Sequence, residues 1–355
     1  MGTVLLILQI IGIIIGTLFG LFILELAIVA FIPGFSVPKQ PLERPKKPIK
    51  EKEVKPSRPR KDVSFKVKET SLNAWLYLPE NLSAPVPCII MGHGLGGTKA
   101  MGLESYALRF QNAGLAVLAF DYRHLGESEG EPRQLIWIPY QLQDYLAAIE
   151  YARSLKEIDP ARIALWGTSF SGGHVIVIAA KDNKIACVCS QVPWLDSHEA
   201  GREALKRTGI KQALRMVPHG QRDFVRSWFG LSPHKIPIAG KPGSIAVIAD
   251  SEAWNGYGEL APEDFINEVC ARIVIRMDKY RPIQHIAKVR CPVLLQITDK
   301  DISHPLSSVE KIEKRLGKLA EVIHYPITHF DIYTGDNFEK AVSDQLDFFK
   351  KHLLK

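Results

Sequence analysis

The chain has 355 residues, 46% of them apolar and 9% aromatic, enough to bury one large core or two smaller ones. Its net charge of +7 would suit a nucleic-acid partner, but ten Lys and Arg residues fall within 39–61 against three Glu. Residues 62–355 are left close to neutral, which excludes a basic binding face on the globular part.

The first element is TVLLILQIIGIIIGTLFGLFIL (3–24), an apolar run of 22 residues without a charge. About 20 such residues cross the hydrocarbon core as a helix. A cleaved signal peptide would carry a basic start and a shorter apolar stretch, so a retained span is expected over residues 1–34. The pattern for N-terminal myristoylation fails at Leu6, where Ser or Thr is needed. Gly12, Gly16 and Gly20 recur every four residues, a small-residue stripe that would let two such helices approach as a homodimer. The basic stretch that follows favours the cytoplasmic side for itself and for the domain beyond it. Rich in Pro and Lys, residues 35–62 read as an extended linker over an anionic membrane face.

From residue 62 the pattern changes. FKVK and LNAWLYL read as a pair of opening strands, ended by Pro79. Apolar strand-like runs then alternate with helical stretches: CIIM (88–91), AVLAF (116–120), IALW (163–166) and ACVCS (186–190) precede or follow helices near 99–112, 136–156 and 170–182. That alternation indicates a buried, mostly parallel sheet with helices on both faces. The rhythm stops at Trp194 and resumes at PVLLQIT (292–298), followed by a helix near 306–317, a strand AEVIHY (320–325) and a last helix 337–353. A gap of this length is expected to be an inserted cap, about 197–288, rather than a bare loop. Trp228, Phe229 and Trp254 are candidates for its rim. Four of the five cysteines sit in or beside apolar runs and read as buried reduced thiols. No C-x-x-C or H-E-x-x-H is present, so no metal site is expected.

GHGLGG (92–97) after the first parallel strand, with Asp121 at the end of the next, matches a dinucleotide-binding fingerprint. A nicotinamide-type oxidoreductase is therefore an alternative. It leaves the extra strand pair, the serine cluster and the C-terminal histidine unexplained. The other reading makes the same loop an oxyanion donor through the Leu95 N–H.

ALWGTSFSGGH (164–174) holds two serines in a nucleophile-elbow pattern, and the motif alone does not choose between Ser169 and Ser171. A strand of four or five residues from Ile163 ends at Ser169, which places Phe170 N–H as the second oxyanion donor. A base and an orienting acid should follow in chain order. His329, in PITHFD after the last strand, is the candidate base. The turn TDKDISHP (298–305) offers Asp301, which is favoured, and Asp299; Asp196 is a third alternative.

On GHGLGG, FDYRHLGES (120–128), GTSFSGG, TDKDISHP and THFDIY (328–333), residues 64–355 resemble the α/β-hydrolase superfamily, in the branch of acyl-peptide and X-Pro peptidase-like hydrolases and esterases. Ser171 stands where many members carry glycine. The resemblance implies a Ser-Asp-His triad (Ser169, Asp301, His329), no cofactor, and hydrolysis of an ester, thioester or amide through an acyl-enzyme. Acyl transfer on the same triad is the nearest alternative. The expected plan is a single-pass anchor (1–34), a linker (35–62) and an α/β-hydrolase domain (63–355).

Overall fold

The computed structural model describes residues 2–31, 36–44, 54–302 and 306–354. Helix α1 (Gly2–Phe31) is followed, from residue 61, by an eight-stranded sheet. Its strands are β1 (Lys61–Val67), β2 (Thr70–Tyr77), β3 (Val86–Gly92), β4 (Ala116–Phe120), β5 (Ile158–Thr168), β6 (Cys187–Gln191), β7 (Val293–Thr298) and β8 (Ala320–Tyr325). The spatial order is β1-β2-β4-β3-β5-β6-β7-β8. β1 and β2 form an antiparallel pair, β2 meets β4 antiparallel, and every pairing from β4 to β8 is parallel.

The continuous apolar runs are explained by cover on both faces. Alternate residues of one strand point to opposite sides. Ile90, Leu118 and Leu165 join one core with α3 (Ile138–Ser154) and α4 (Phe170–Ala179). Ile89, Met91, Val117 and Trp166 join the other with α2 (Leu103–Asn112) and α8 (Gly335–Leu353), while α7 (Leu306–Leu316) connects β7 to β8. β5 starts five residues earlier than its apolar run, and α2 starts at Leu103 because Gly102, at φ 78°, turns the chain first. All five cysteines are free and buried.

Between β6 and β7 lie α5 (Ser197–Trp228), α6 (Ser251–Leu260), several 3-10 turns and two-residue strand pairs. α5 bends at Gly209, whose φ of 77° and ψ of 162° are not helical. Trp254 is buried in this region, with Lys241 over its ring, so it is no rim residue; Trp228 and Phe229 are exposed.

The stretch read as an extended linker lies against the domain at both of its described ends. Val37 and Leu42 pack on the core, Asn267 donates to the Gln40 carbonyl (2.8 Å), and Arg44 donates to Ala261 and Pro262 carbonyls. Further on, Gln111 donates to the Arg58 carbonyl and the Arg60 guanidinium sits 3.9 Å from the centre of the Trp75 ring. A Pro-rich chain has few N–H groups but keeps every carbonyl, and side-chain donors of the domain take these up.

Val4–Phe31 of α1 is long and apolar enough to cross a membrane; a signal sequence near an N-terminus has the same character. Gly12, Gly16 and Gly20 have open space above each Cα.

One buried ion pair holds the loops above β3 and β4. Lys99 Nζ meets Asp121 at 2.7 Å, both are 1% exposed, and Asp121 also accepts from the backbone N–H groups of Lys99 and Glu127. Lys99→Met leaves that carboxylate buried without its cation. It should destabilise the fold by about 3–5 kcal/mol, read as a lowered denaturant midpoint.

Candidate active site

The elbow between β5 and α4 decides which serine faces the cavity. Ser169 sits at φ 54° and ψ −115°, a region that non-glycine residues rarely adopt. Its N–H donates to the Gln191 carbonyl (2.9 Å), and its own carbonyl accepts from Trp194 (2.9 Å) and Gly172 (3.0 Å). A Cβ on Gly167 would run into the Ser171 carbonyl, so the position two before Ser169 must be glycine. Ser171 points the other way and is fully buried. Its hydroxyl bonds the His93 carbonyl and the Tyr122 hydroxyl (2.6 Å) rather than capping α4.

Under the elbow lies a polar network that the sequence did not announce. Gln191, Gln296 and Gln345, from β6, β7 and α8, are all fully buried. Gln345 donates to both Gln191 (2.7 Å) and Gln296 (2.5 Å) and accepts from Trp166 (3.0 Å). Gln191 donates on to Thr168 (3.1 Å), the residue before Ser169. A fully satisfied buried network of this kind fixes one arrangement.

GHGLGG does not form the strand-turn-helix of a dinucleotide site. Five residues separate Gly97 from the start of α2, and Asp121 is taken up by Lys99. A Cβ on Gly92 would strike the Tyr122 hydroxyl. The loop instead brings Gly94 to the elbow, where an added Cβ would stand 3.4 Å from that of Ser169. Leu95 lines the cavity beside Ser169, and its carbonyl accepts from the Tyr257 hydroxyl of α6 (2.6 Å). Phe170 is the first residue of α4, so its N–H belongs to the helix-start donors that lack a partner within the helix.

The three candidate acids separate by partner. Asp301 Oδ2 lies 2.5 Å from His329 Nδ1, with both side chains buried. Asp299 pairs with His324 (2.6 Å) at the surface. Asp196 caps α5 by accepting from the His198 N–H (2.9 Å) and pairs with Arg281 (2.8 Å). Burial pulls the His329 pKa down, but the charge and hydrogen bond of Asp301, helped by Glu252 and Asp250, carry it above the ordinary value. Glu252, on α6, was not singled out in the sequence; its carboxylate accepts from the His329 N–H (2.6 Å). Burial holds its own pKa up.

Ser169 and His329 line one cavity of about 280 Å³. Leu95, Met101, Ala204, Leu205, Met216 and Leu260 give it an apolar wall, and α5 and α6 roof it. With a serine on a positive-φ turn, an imidazole held by a carboxylate and N–H donors at a helix start, the arrangement can support acyl transfer.

Comparisons with known proteins identify the family and the fold. The model of the X-Pro dipeptidyl-peptidase (S15) family matches residues 68–212. A quorum-quenching protein, AidA, of Acinetobacter baumannii is 40% identical over 292 residues, 82% of this chain and 94% of its own length. The chain belongs to the α/β-hydrolase superfamily. Another relative of this α/β-hydrolase is the polyketide transferase grgF of a Penicillium species, 26% identical over 83% of this chain and 97% of its own. The crystal structure of the α/β hydrolase GrgF from Penicillium sp. sh18 superposes with a TM-score of 0.70, at 23% identity over 84% of this chain and 100% of that one. Members with such names include hydrolases and acyl-group transferases, and this α/β-hydrolase is an enzyme of that type.

The electrostatics give a direct check. In Asp301→Asn, burial acts on His329 with far less to oppose it, so the imidazole should titrate below its ordinary value. Glu252→Gln keeps an acceptor for the His329 N–H and removes only a charge, so the fall should be smaller. Proton-NMR titration of the His329 ring reads both.

Proposed function

We propose that the protein is a membrane-anchored serine hydrolase acting on an acyl ester or thioester with an apolar acyl group. The observation that carries this reading is the shared cavity: Ser169 and His329 face one apolar pocket while Asp301 holds His329 from behind. Nδ1–H of His329 donates to Asp301, which leaves Nε2 as the base that takes the Ser169 proton. The serine oxygen adds to the carbonyl carbon, and the negative charge that develops is met by the N–H groups of Leu95 and Phe170 at the start of α4. His329 then protonates the leaving group. Water, activated by the same imidazole, releases the acid from the acyl-enzyme.

The substrate class follows from the wall. The cavity is close to the lower end of the range for small-molecule sites, about 300–1,000 Å³. A dipeptidyl-peptidase needs an acidic group to hold a substrate amine. The two carboxylates at this wall are engaged, Glu252 by the His329 N–H and Asp250 by the α6 N-terminus, where it accepts from Ala253 (2.8 Å). An acyl chain fits the wall better than a charged peptide end. A second reading concerns the substrate's role. The relative named for quorum quenching matches nearly all of its own length, and supports a small signalling compound as the acyl-bearing substrate. The transferase relative supports acyl transfer to an acceptor other than water.

The anchor belongs to the same proposal. In this reading α1 is retained as a single span, and the basic residues after it favour the cytoplasm for the catalytic domain. In intact cells, a cysteine introduced at the exposed Lys181 should resist membrane-impermeant thiol reagents, and ready labelling would put the domain outside.

A fluorophosphonate probe tests the nucleophile. It should label the full-length protein and Ser171→Ala, but not Ser169→Ala, whose turnover should fall by on the order of 10⁴-fold or more. An adduct mapped to Ser171 overturns the assignment. Esters of rising chain length, with and without an alcohol acceptor, then separate hydrolysis from transfer by product.

A further inference from the structure

α5 carries a surface that the catalytic reading does not use. Beyond the bend at Gly209, Ile210, Leu214, Val217, Phe224 and Trp228 fall within one face of the helix. Ile210 is 62% exposed, Leu214 63% and Trp228 62%, with Phe229 beside it at 62%. Lys211, Arg215, Arg222 and Arg226 project from the other side of the helix. The single acid of the segment, Asp223, is fully buried and spent on Arg272 (2.6 Å). An exposed apolar face with cations on the polar side matches an amphipathic helix lying in a membrane interface.

α1 supplies a second, independent observation. Its last turn is seated on the same helix: Val29 and Ala30 are buried, and Phe31 meets Phe229 edge to face at 5.6 Å. Arg222 and Arg226 donate to the Val29 (2.5 Å) and Ala30 (3.1 Å) carbonyls, which a helix end leaves without partners. The 28 residues of Val4–Phe31 are about 42 Å long at 1.5 Å per residue, whereas the hydrocarbon core is about 30 Å. The last turns of a spanning α1 therefore stand at headgroup depth, and so does the helix they touch. From Phe31 to Ser36 the chain can reach about 18 Å at most. From Ser36 it runs on along α5, lining a crevice with Arg215 and His219. The domain is held at the bilayer rather than at the end of a long tether.

We infer that residues 210–229 of α5 lie on the anionic cytoplasmic leaflet beside α1, and that the cavity takes acyl chains already dissolved in that leaflet. The exposed apolar face enters the acyl boundary, and Trp228 and Phe229 sit at headgroup level. Across the Gly209 bend, Leu205 and Ile302 are both exposed and line the cavity that holds Ser169, which gives an apolar path from leaflet to serine. The inference rests on the spanning role of α1 and deepens the acyl-hydrolase reading by naming where the substrate resides.

The test uses full-length protein in vesicles of phosphatidylcholine with phosphatidylglycerol. Because the native thiols are buried, single cysteines at Leu214, Glu150 and Gly16 can be labelled with an environment-sensitive fluorophore. Lipids carrying a quencher near the headgroup should quench the Leu214 label at least twofold more than the Glu150 label on α3. The Gly16 label should be reached by quenchers placed deep in the bilayer. If Leu214 behaves like Glu150 while Gly16 is quenched, the leaflet surface is wrong and the anchor stands. If Gly16 is not quenched, the anchor fails and this inference falls with it. A second arm compares wild type with Ile210→Glu/Leu214→Glu, positions outside the cavity wall. Turnover of a dodecanoyl ester held in the vesicles should fall at least fivefold, with turnover of a soluble acetyl ester unchanged. An unchanged ratio of the two overturns the inference even where both esters are cleaved.

Discussion

The site depends on holding one residue where it does not rest by itself. A non-glycine residue at positive φ costs on the order of 1–3 kcal/mol, and such a conformation persists only where the surroundings over-determine it. At Ser169 they do so from three sides. Gln191 takes its N–H, Trp194 and Gly172 bond its carbonyl, and Gly167 leaves room for the turn that follows. The buried glutamines of β6, β7 and α8 tie those strand ends together, so the turn is fixed by the end of the whole sheet and not by its own residues. The extra serine of the elbow has a place in the same scheme. Ser171 occupies the position where glycine is common and pins the His93 carbonyl, which sets the loop that carries Leu95.

The fold was legible because its sheet is covered on both sides. AVLAF and AEVIHY fill the observed β4 and β8 end to end, and VLLQIT needed only Pro292 removed. Helix starts were less legible, since Gly102 and the loop before it belong to a tertiary turn. In the site, the positions of Ser169, His329 and Asp301 could be named because each follows a strand. What separates Asp301 from Asp299 is a partner 28 residues away rather than 25, and spacing along the chain carries no such information. Glu252, Tyr257 and the glutamine network were invisible for another reason. Each acts through the third dimension, from a helix or strand whose sequence reads as ordinary amphipathic or apolar structure.

The stretch between α1 and the domain shows the limit of composition. Proline and lysine led to the expectation of an extended, charged segment. They do not prevent the backbone carbonyls of Gln40, Lys55 and Arg58 from accepting from Asn267, Asn112 and Gln111, which the folded domain presents in fixed positions. A segment that cannot form a core can still be adopted by one.

The hydroxyl of Tyr257 ties the roof of the cavity to the loop that carries Leu95. Phe330, next to His329, fills the space above Gly256 on the same short helix. α6 is thus a lever with one end on the electrophilic side of the site and the other on the basic side. Under the proposed mechanism, lifting this lever to admit a bulky molecule would unsettle the carbonyl-binding loop and the imidazole in one movement. A guest too large for the closed shape would be bound by an enzyme disarmed by the act of binding it. Selection by size would then show itself in the rate of the chemical step as much as in affinity, with no separate gate required.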